Sequence, residues 1–140
     1  MRNRIEIKEV VTCLLESGGK ILILKRSEKV STYQGKWAGV SGYVEIAPLK
    51  QALKEIREET GLDESDIKLI NKGKLLEVLD KELRRKWIIH PYLFHVKCPD
   101  KIHIDWEHIE TKWIFPCELS KYPTVPKLKE TLDRCINRRL

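Results

Sequence analysis

The sequence predicts an α/β fold, in which a mixed sheet packs against helices. Strand-like runs rich in Val, Ile and Leu come before, between and after two segments with helical periodicity. The chain has 140 residues, a length that fits one domain over residues 1–140. Neither a linker nor an internal repeat interrupts the sequence. We therefore expect a single-domain α/β sandwich.

Two strands joined by a hairpin are predicted near the N-terminus. Residues 10–15 and 21–25 are mostly apolar, and Gly18 and Gly19 lie in the short loop between them. Residues 29–44 are rich in glycine and polar side chains, so we expect a long loop there.

The strongest helical prediction covers residues 48–60. Pro48 is suited to a first helical turn, and Gly61 is suited to the position after a last turn. Later elements follow from apolar runs and helical periodicity: strands within 67–79, 86–97 and 113–115, a helical turn at 116–119 and a helix at 126–138.

The predicted helix 48–60 has a core face and an acidic flank. Positions that share one side at about 100° per residue form the core face, namely Leu49, Ala52, Leu53 and Ile56. Glu55, Glu58 and Glu59 are helical neighbours on one flank, where like charges cost about 0.2–0.5 kcal/mol per pair. The helix dipole also disfavours anions near a C-terminus. A divalent cation would reverse both effects, and the alternative is a solvated acidic surface.

The residues around this helix resemble the Nudix box of the Nudix hydrolases. The resemblance is carried by the run Gly42–Glu45 and by Lys54-Glu55-Ile56-Arg57-Glu58-Glu59-Thr60-Gly61-Leu62. It implies an α/β/α sandwich that holds a divalent metal, usually Mg²⁺, with Mn²⁺ as a further option. It also implies hydrolysis of a nucleoside diphosphate linked to another group.

Five site residues follow from the resemblance, position by position. Glu58 and Glu59 match the family's main metal-binding pair. Glu55 matches the glutamate that binds metal or handles the proton of the attacking water, and the carbonyl of Ser41 matches a further metal contact. Lys54 stands where the family has arginine, and lysine lacks the bidentate fork of arginine.

The box is two residues shorter than the family pattern. The shortage falls between Glu45 and Pro48, so no acid matches the family's upstream glutamate. A true deletion and a loop missing from the numbering both fit this spacing. We expect a break in the chain, with Ala47 and Pro48 farther apart than the roughly 3.8 Å that a trans peptide fixes between neighbouring Cα atoms.

Residues outside the box are assigned from their positions relative to it. Arg26 and Lys36 are expected to contact substrate phosphate, although Arg26 also fits a surface salt bridge. Trp37 can stack on a base of the substrate, or it can be a packing residue of the fold. The family uses a carboxylate outside the box to support metal or water, and Glu110 or Glu107 matches it.

Composition and charge restrict the partners. The 27 Lys and Arg exceed the 21 Asp and Glu and give a net charge of +6, which suits an anionic small molecule, whereas we do not expect nucleic acid. The longest apolar runs are far short of the roughly 20 residues of a membrane helix, and the first residues lack a secretory apolar run. We therefore expect a cytoplasmic protein. Four scattered cysteines favour reduced thiols over zinc, and a homodimer remains one option.

These observations predict a Mg²⁺-dependent pyrophosphohydrolase that acts on a nucleotide or nucleoside-diphosphate derivative. Its catalytic residues would be Glu55, Glu58, Glu59 and Lys54. One alternative is a Nudix-like nucleotide-binding module that has weak turnover or none. Another is an RNA-associated basic domain, whose binding would fall steeply with salt.

Overall fold

The structure is a computed structural model that describes residues 4–136. In this part of the chain, eight strands form one mixed sheet with two α-helices packed on it. The strands are β1 (Glu6–Ser17), β2 (Lys20–Arg26), β3 (Trp37–Ala38), β4 (Val40–Tyr43), β5 (Ile67–Lys72), β6 (Leu76–Asp80), β7 (Arg85–Val96) and β8 (His108–Ile114). The helices are α1 (Pro48–Thr60) and α2 (Leu128–Ile136). None of the helices within residues 4–136 is long and apolar enough to cross a membrane.

Strand β1 organises the sheet because it changes partners along its length. On one side it runs parallel to β7, with Glu6 opposite Arg85 and Glu16 opposite His95. On its other side, Val10–Cys13 pair with β4 and the last two residues pair with β2, both in antiparallel register. Strands β5 and β6 extend the sheet beyond β7, and β3 and β8 extend it beyond β2. The change of partner brings β4, and with it the start of α1, alongside the centre of the sheet.

Two hydrophobic cores lie on opposite faces of the sheet. Side chains alternate along β1, so Val11 and Cys13 belong to the core that contains Ile56 of α1. Leu14 belongs instead to the second core, with Leu132 of α2. The predicted α/β/α sandwich is therefore confirmed.

Helix α1 has the predicted bounds because local signals define both of its ends. Pro48 occupies the first turn and Ala47 is the N-cap residue. Gly61 follows the last turn with a φ of 79°, a left-handed conformation that glycine adopts without a Cβ penalty. Its amide donates to the carbonyl of Arg57 at 2.9 Å.

The predicted core face of α1 is wrong at its first member. Leu49 is 41% exposed, whereas Ala52 and Ile56 are fully buried. Packing against the sheet begins one turn after Leu49, and the buried surface also takes in three polar residues, Gln51, Glu59 and Thr60. Apolar periodicity alone does not reveal polar residues that a helix buries.

The chain is continuous where a break was expected. Ala47 has N-cap backbone torsions immediately before Pro48, and its carbonyl accepts the amide of Gln51 at 2.9 Å. The expectation of a gap between Ala47 and Pro48 is therefore wrong. The loop before α1 is truly short, and the family's upstream glutamate has no counterpart in it.

Several strands differ from the prediction because distant pairing defines them. The predicted loop 29–44 contains β3 and β4, each too short to give a period of its own. Strand β8 starts at His108, ahead of the predicted 113–115, since pairing with β2 extends through a polar sequence. Helix α2 begins at Leu128 rather than at 126, and positions 137 and 138 of the predicted helix lie outside the described residues.

A matched pair of substitutions on α1 tests how this helix packs. Ile56→Ala should lower the free energy of unfolding by about 2–5 kcal/mol, because it leaves a cavity in the core on the α1 face. Leu49→Ala on the exposed first turn should lower it by less than about 1 kcal/mol. Urea unfolding measures both values, and equal losses would contradict the observed packing.

Candidate active site

A cavity of about 550 Å³ lies between β4, α1 and two loops, and it combines an apolar wall with a charged end. The apolar and aromatic lining includes Val10, Val78, Ile89, Tyr33, Tyr43, Trp87 and Trp106. The charged lining consists of Arg26, Lys29, Glu45, Glu55, Glu58 and Glu107. Such a space can take a ligand that is partly planar and apolar and partly anionic.

Glu59 is the most deeply buried carboxyl beside this cavity. It is 2% exposed, and among the described residues its Oε2 has no hydrogen-bond partner. Glu107 and His108, at the start of β8, approach it so that one ligand atom from each of the three residues lies within 4.8 Å of the others. Glu55, on the same helix, also acts on Glu59, because its charge raises the pKa of the Glu59 carboxyl.

Glu55 is positioned by a glycine and a buried glutamine. A Cβ on Gly42 would lie 2.2–2.6 Å from the Glu55 carboxyl atoms, so only glycine lets this carboxyl approach the backbone of β4. Gln51 donates its Nε2 to Glu55 Oε2 at 2.7 Å. The Oε1 of Gln51 accepts the amide of Glu45 at 3.0 Å, which ties the short loop to the same network.

Burial and mutual repulsion shift the pKa values of these acids. Burial raises the pKa of Glu59 well above its usual range, and the charges of Glu107, Glu55 and Asp105 raise it further. Burial also raises the pKa of Glu55, against the hydrogen bond from Gln51 that lowers it. The pKa of Glu107 is raised by burial and then by the charge of Asp105. The cluster therefore carries more negative charge than its surroundings compensate.

These groups fit a divalent cation. A buried carboxylate oxygen with no partner is costly, and clustered carboxylates raise one another's pKa. A cation removes both penalties, because hard oxygen ligands are what Mg²⁺ and Mn²⁺ bind. The carboxylates of Glu59 and Glu107 are ligands of this kind, and the carboxylate of Glu55 lines the adjoining cavity.

The loop that follows β2 is held on the cavity wall by partly buried hydrogen bonds. Arg26 donates its Nε to the carbonyl of Thr32 at 2.9 Å. Tyr33 donates its hydroxyl to Asp80 at 2.6 Å and accepts the indole N–H of Trp87 at 3.0 Å. Burial, followed by the hydrogen bond to Asp80, raises the pKa of Tyr33 to about 12.

Comparison with known proteins identifies the family. The model of the NUDIX domain matches residues 7–135. The chain belongs to the Nudix family. No curated protein matches the sequence at a significant level.

Solved structures share the Nudix fold of this chain. A MutT protein from Methanosarcina mazei Go1 is 24% identical with a TM-score of 0.73, covering 93% of each chain. An Ap4A hydrolase from C. elegans is 16% identical with a TM-score of 0.72, covering 93% of this chain and 94% of that one. A dihydroneopterin triphosphate pyrophosphohydrolase from E. coli is 16% identical with a TM-score of 0.70, covering 93% and 96%.

The Nudix-box residues lie along one side of α1 at different depths. Glu55 is half-buried and Glu59 is buried, whereas Glu58 is exposed at the cavity edge with its carboxylate 3.7 Å from the Lys54 ammonium. Ser41 of β4 lines the cavity opposite them. The structure brings these predicted residues together, and their roles as ligands remain predictions.

Glu110, the predicted metal ligand outside the Nudix box, lies away from the cavity. Glu110 is exposed on β8, opposite Lys25 of β2, and does not line the cavity. Glu107 lies three residues earlier, on the cavity. Glu107 lies in the turn before β8, whereas Glu110 lies within the strand, and this difference separates the two glutamates.

Of the three predicted substrate contacts, only Arg26 lines the cavity. Burial lowers its pKa, while the charges of Glu107 and Glu59 act in the opposite direction. Lys36 is exposed and outside the cavity lining. Trp37 is buried in the core on the α2 face, with its ring 5.6 Å from that of Tyr122, so the packing interpretation is correct for this residue.

The sequence interpretation missed the aromatic wall and one histidine. Trp106 is 61% exposed at the cavity, and Tyr43 stacks on Trp87 with ring centroids 6.4 Å apart. His108 is buried, with its Nε2 3.8 Å from Glu59 Oε1. The only local signal that Trp106 and His108 belong to the site was that they flank Glu107 in the sequence.

Replacement of Glu59 tests the charge of the site without any ligand. In the presence of a chelator, Glu59→Gln should raise the free energy of unfolding relative to wild type. Because the folded-state pKa of Glu59 lies above the unfolded value of 4.5, its contribution to stability declines as pH rises from about 4.5 toward the folded-state pKa.

The difference between variant and wild type should therefore grow with pH over this interval. Urea unfolding at about pH 4, 6 and 8 measures it. A difference that stays constant across the three values would contradict a raised pKa at Glu59.

Proposed function

We propose that this Nudix enzyme hydrolyses the pyrophosphate linkage of a nucleotide or nucleoside-diphosphate derivative, with a divalent metal, Mg²⁺ or Mn²⁺, as cofactor. One observation carries the proposal: a single cavity joins a cluster of uncompensated carboxylates to an aromatic wall. The first part suits a cation and a phosphate chain, and the second suits a planar base.

The residues that would hold the metal are Glu55, Glu58, Glu59 and Glu107, with the carbonyl of Ser41 as a further contact. When bound, a divalent cation supplies polarisation of the phosphoryl oxygens and a lowered pKa for water. The unpartnered Oε2 of Glu59 supports its assignment as a ligand, because a cation would satisfy this oxygen.

Glu55 is the residue proposed to accept the proton of the attacking water. Its pKa is raised by burial, and a base works best when its pKa approaches the working pH. Gln51 and Gly42 fix the position of its carboxyl. Lys54 neutralises part of the charge of Glu58 from the exposed side of the helix.

The aromatic wall is proposed to bind the base, and the cationic side chains the phosphates. Trp106 offers an exposed indole face near Glu107, and Tyr43 and Trp87 offer a second aromatic surface. Lys29 and Arg26 add positive charge to the lining. Two of the similar structures are an Ap4A hydrolase and a dihydroneopterin triphosphate pyrophosphohydrolase, and these names support a phosphoanhydride substrate.

A binding module with weak or no turnover is the second candidate. It is favoured by the continuous short loop at Ala47–Pro48, which leaves the family's upstream glutamate without a counterpart. A panel of nucleotides incubated with Mg²⁺ and with Mn²⁺ separates the two functions. Release of phosphate or nucleotide supports the enzyme, and ligand binding without release supports the module.

A pair of substitutions on either side of the start of β8 tests the metal assignment. Glu107→Gln should lower kcat by about 100-fold or more, because it removes a proposed ligand. Glu110→Gln should leave kcat unchanged, since Glu110 is exposed outside the cavity. Steady-state kinetics on the best substrate of the panel measures both, and the reverse order would restore Glu110 as the metal-binding carboxylate.

Replacement of Trp106 tests the proposed base contact. Loss of one stacking interaction is worth about 1–3 kcal/mol, so Trp106→Ala should raise KM about 10-fold or more while kcat changes little. Trp106→Phe should recover part of the affinity because it keeps an aromatic face. An unchanged KM in the alanine variant would place the base elsewhere.

A further inference from the structure

His108 is a buried histidine within the acidic cluster, and core packing alone does not explain why it faces carboxylates. It is the first residue of β8, and its side chain is 2% exposed. Its Nδ1 lies 3.2 Å from Asp105 Oδ1, which also accepts the amide of Glu107 at 3.2 Å. The amide of His108 donates to the carbonyl of Asp105 at 3.3 Å. Asp105 therefore fixes both the turn and the orientation of the imidazole ring.

The hydrogen bond to Asp105 also determines which ring nitrogen faces the cluster with a lone pair. A carboxylate only accepts hydrogen bonds, so the Nδ1 of His108 carries the proton and Nε2 presents its lone pair. Nε2 is 3.8 Å from Glu59 Oε1, too far for a hydrogen bond. The other oxygen of Glu59 has no hydrogen-bond partner among the described residues.

Acceptors that face each other in a buried space need an electrophile between them. Two ligand atoms bound to one ion at about 2.0–2.2 Å are about 3–4 Å apart, and the separation of His108 Nε2 and Glu59 Oε1 is in this range. A carboxylate that holds the second nitrogen of a metal-binding histidine is a recurrent arrangement in metalloproteins. Asp105 has this position here.

We propose that His108 is a nitrogen ligand of the metal site, and that with Glu59 and Glu107 it makes the site prefer a first-row transition ion, Mn²⁺ or Co²⁺, over Mg²⁺. Imidazole suits transition ions, whereas Mg²⁺ favours a shell of oxygen ligands and water. The inference rests on the proposed metal dependence and adds the identity of one ligand and the class of ion. Asp105 is a positioning residue for the ring.

The test measures metal binding to the full chain after removal of metal with a chelator. Calorimetric titration should give wild type an affinity for Mn²⁺ and Co²⁺ about 10-fold or more above that for Mg²⁺. His108→Gln should lose most of this preference, with Mg²⁺ affinity retained within about 3-fold. Asp105→Asn should weaken Mn²⁺ binding by about 10-fold or more, as loss of an outer partner does. His95→Gln is the matched control, because His95 pairs with Glu16 away from the cavity.

A spectroscopic measurement on wild type keeps the inference testable even when the buried variant fails to fold. Pulsed electron paramagnetic resonance of bound Mn²⁺ should show coupling to a ¹⁴N nucleus. Bound Mn²⁺ without nitrogen coupling would overturn the role of His108 and leave the proposed metal dependence intact. Absence of any Mn²⁺, Co²⁺ or Mg²⁺ binding would overturn both.

Discussion

The burial of the Glu59 carboxyl is the constraint on which the rest of the site depends. Ile56 and Glu59 are one helical turn apart, so packing Ile56 into the core carries Glu59 inward with it. Apolar packing on both faces of the sheet offsets the cost of this burial, because Glu59 Oε2 has no hydrogen-bond partner among the described residues. Residues that approach Glu59 from β8 add further charge. The fold thus maintains a local electrostatic strain at one point, which is typical of a functional site.

The parts of the structure that were predictable depend on neighbours along the chain. Pro48 and Gly61 define the ends of α1 within the sequence itself, and helical spacing puts Glu55 and Glu59 on one flank. The resemblance to the Nudix box also predicts where the loop before the helix lies. The exposure of Leu49 was not predictable, because it depends on where α1 begins to contact the sheet and not on the helical period.

The remaining parts depend on pairing between distant strands. Two tryptophans, Trp106 and Trp113, and several acids near the end of the chain are compatible with a site, and the sequence alone does not select among them. Glu107 lies in the turn before β8 and lines the cavity, whereas Glu110 lies within the strand and outside the cavity. Trp37 has the same dependence, since pairing of β3 with β2 directs it to the core on the α2 face. A shift of one residue in the strand register would move a side chain to the opposite face of the sheet, and no local sequence pattern indicates which register forms.

The hydrogen bonds that hold Thr32 and Tyr33 against Arg26, Asp80 and Trp87 have a thermodynamic consequence for recognition. When a binding loop becomes ordered only on ligand binding, its loss of conformational entropy weakens the affinity for the ligand. Here that entropy is lost during folding, so a ligand meets a wall that is already formed. Selectivity then rests on shape and size within a fixed volume, and a ligand that is too large is excluded sterically because the wall does not adapt to it.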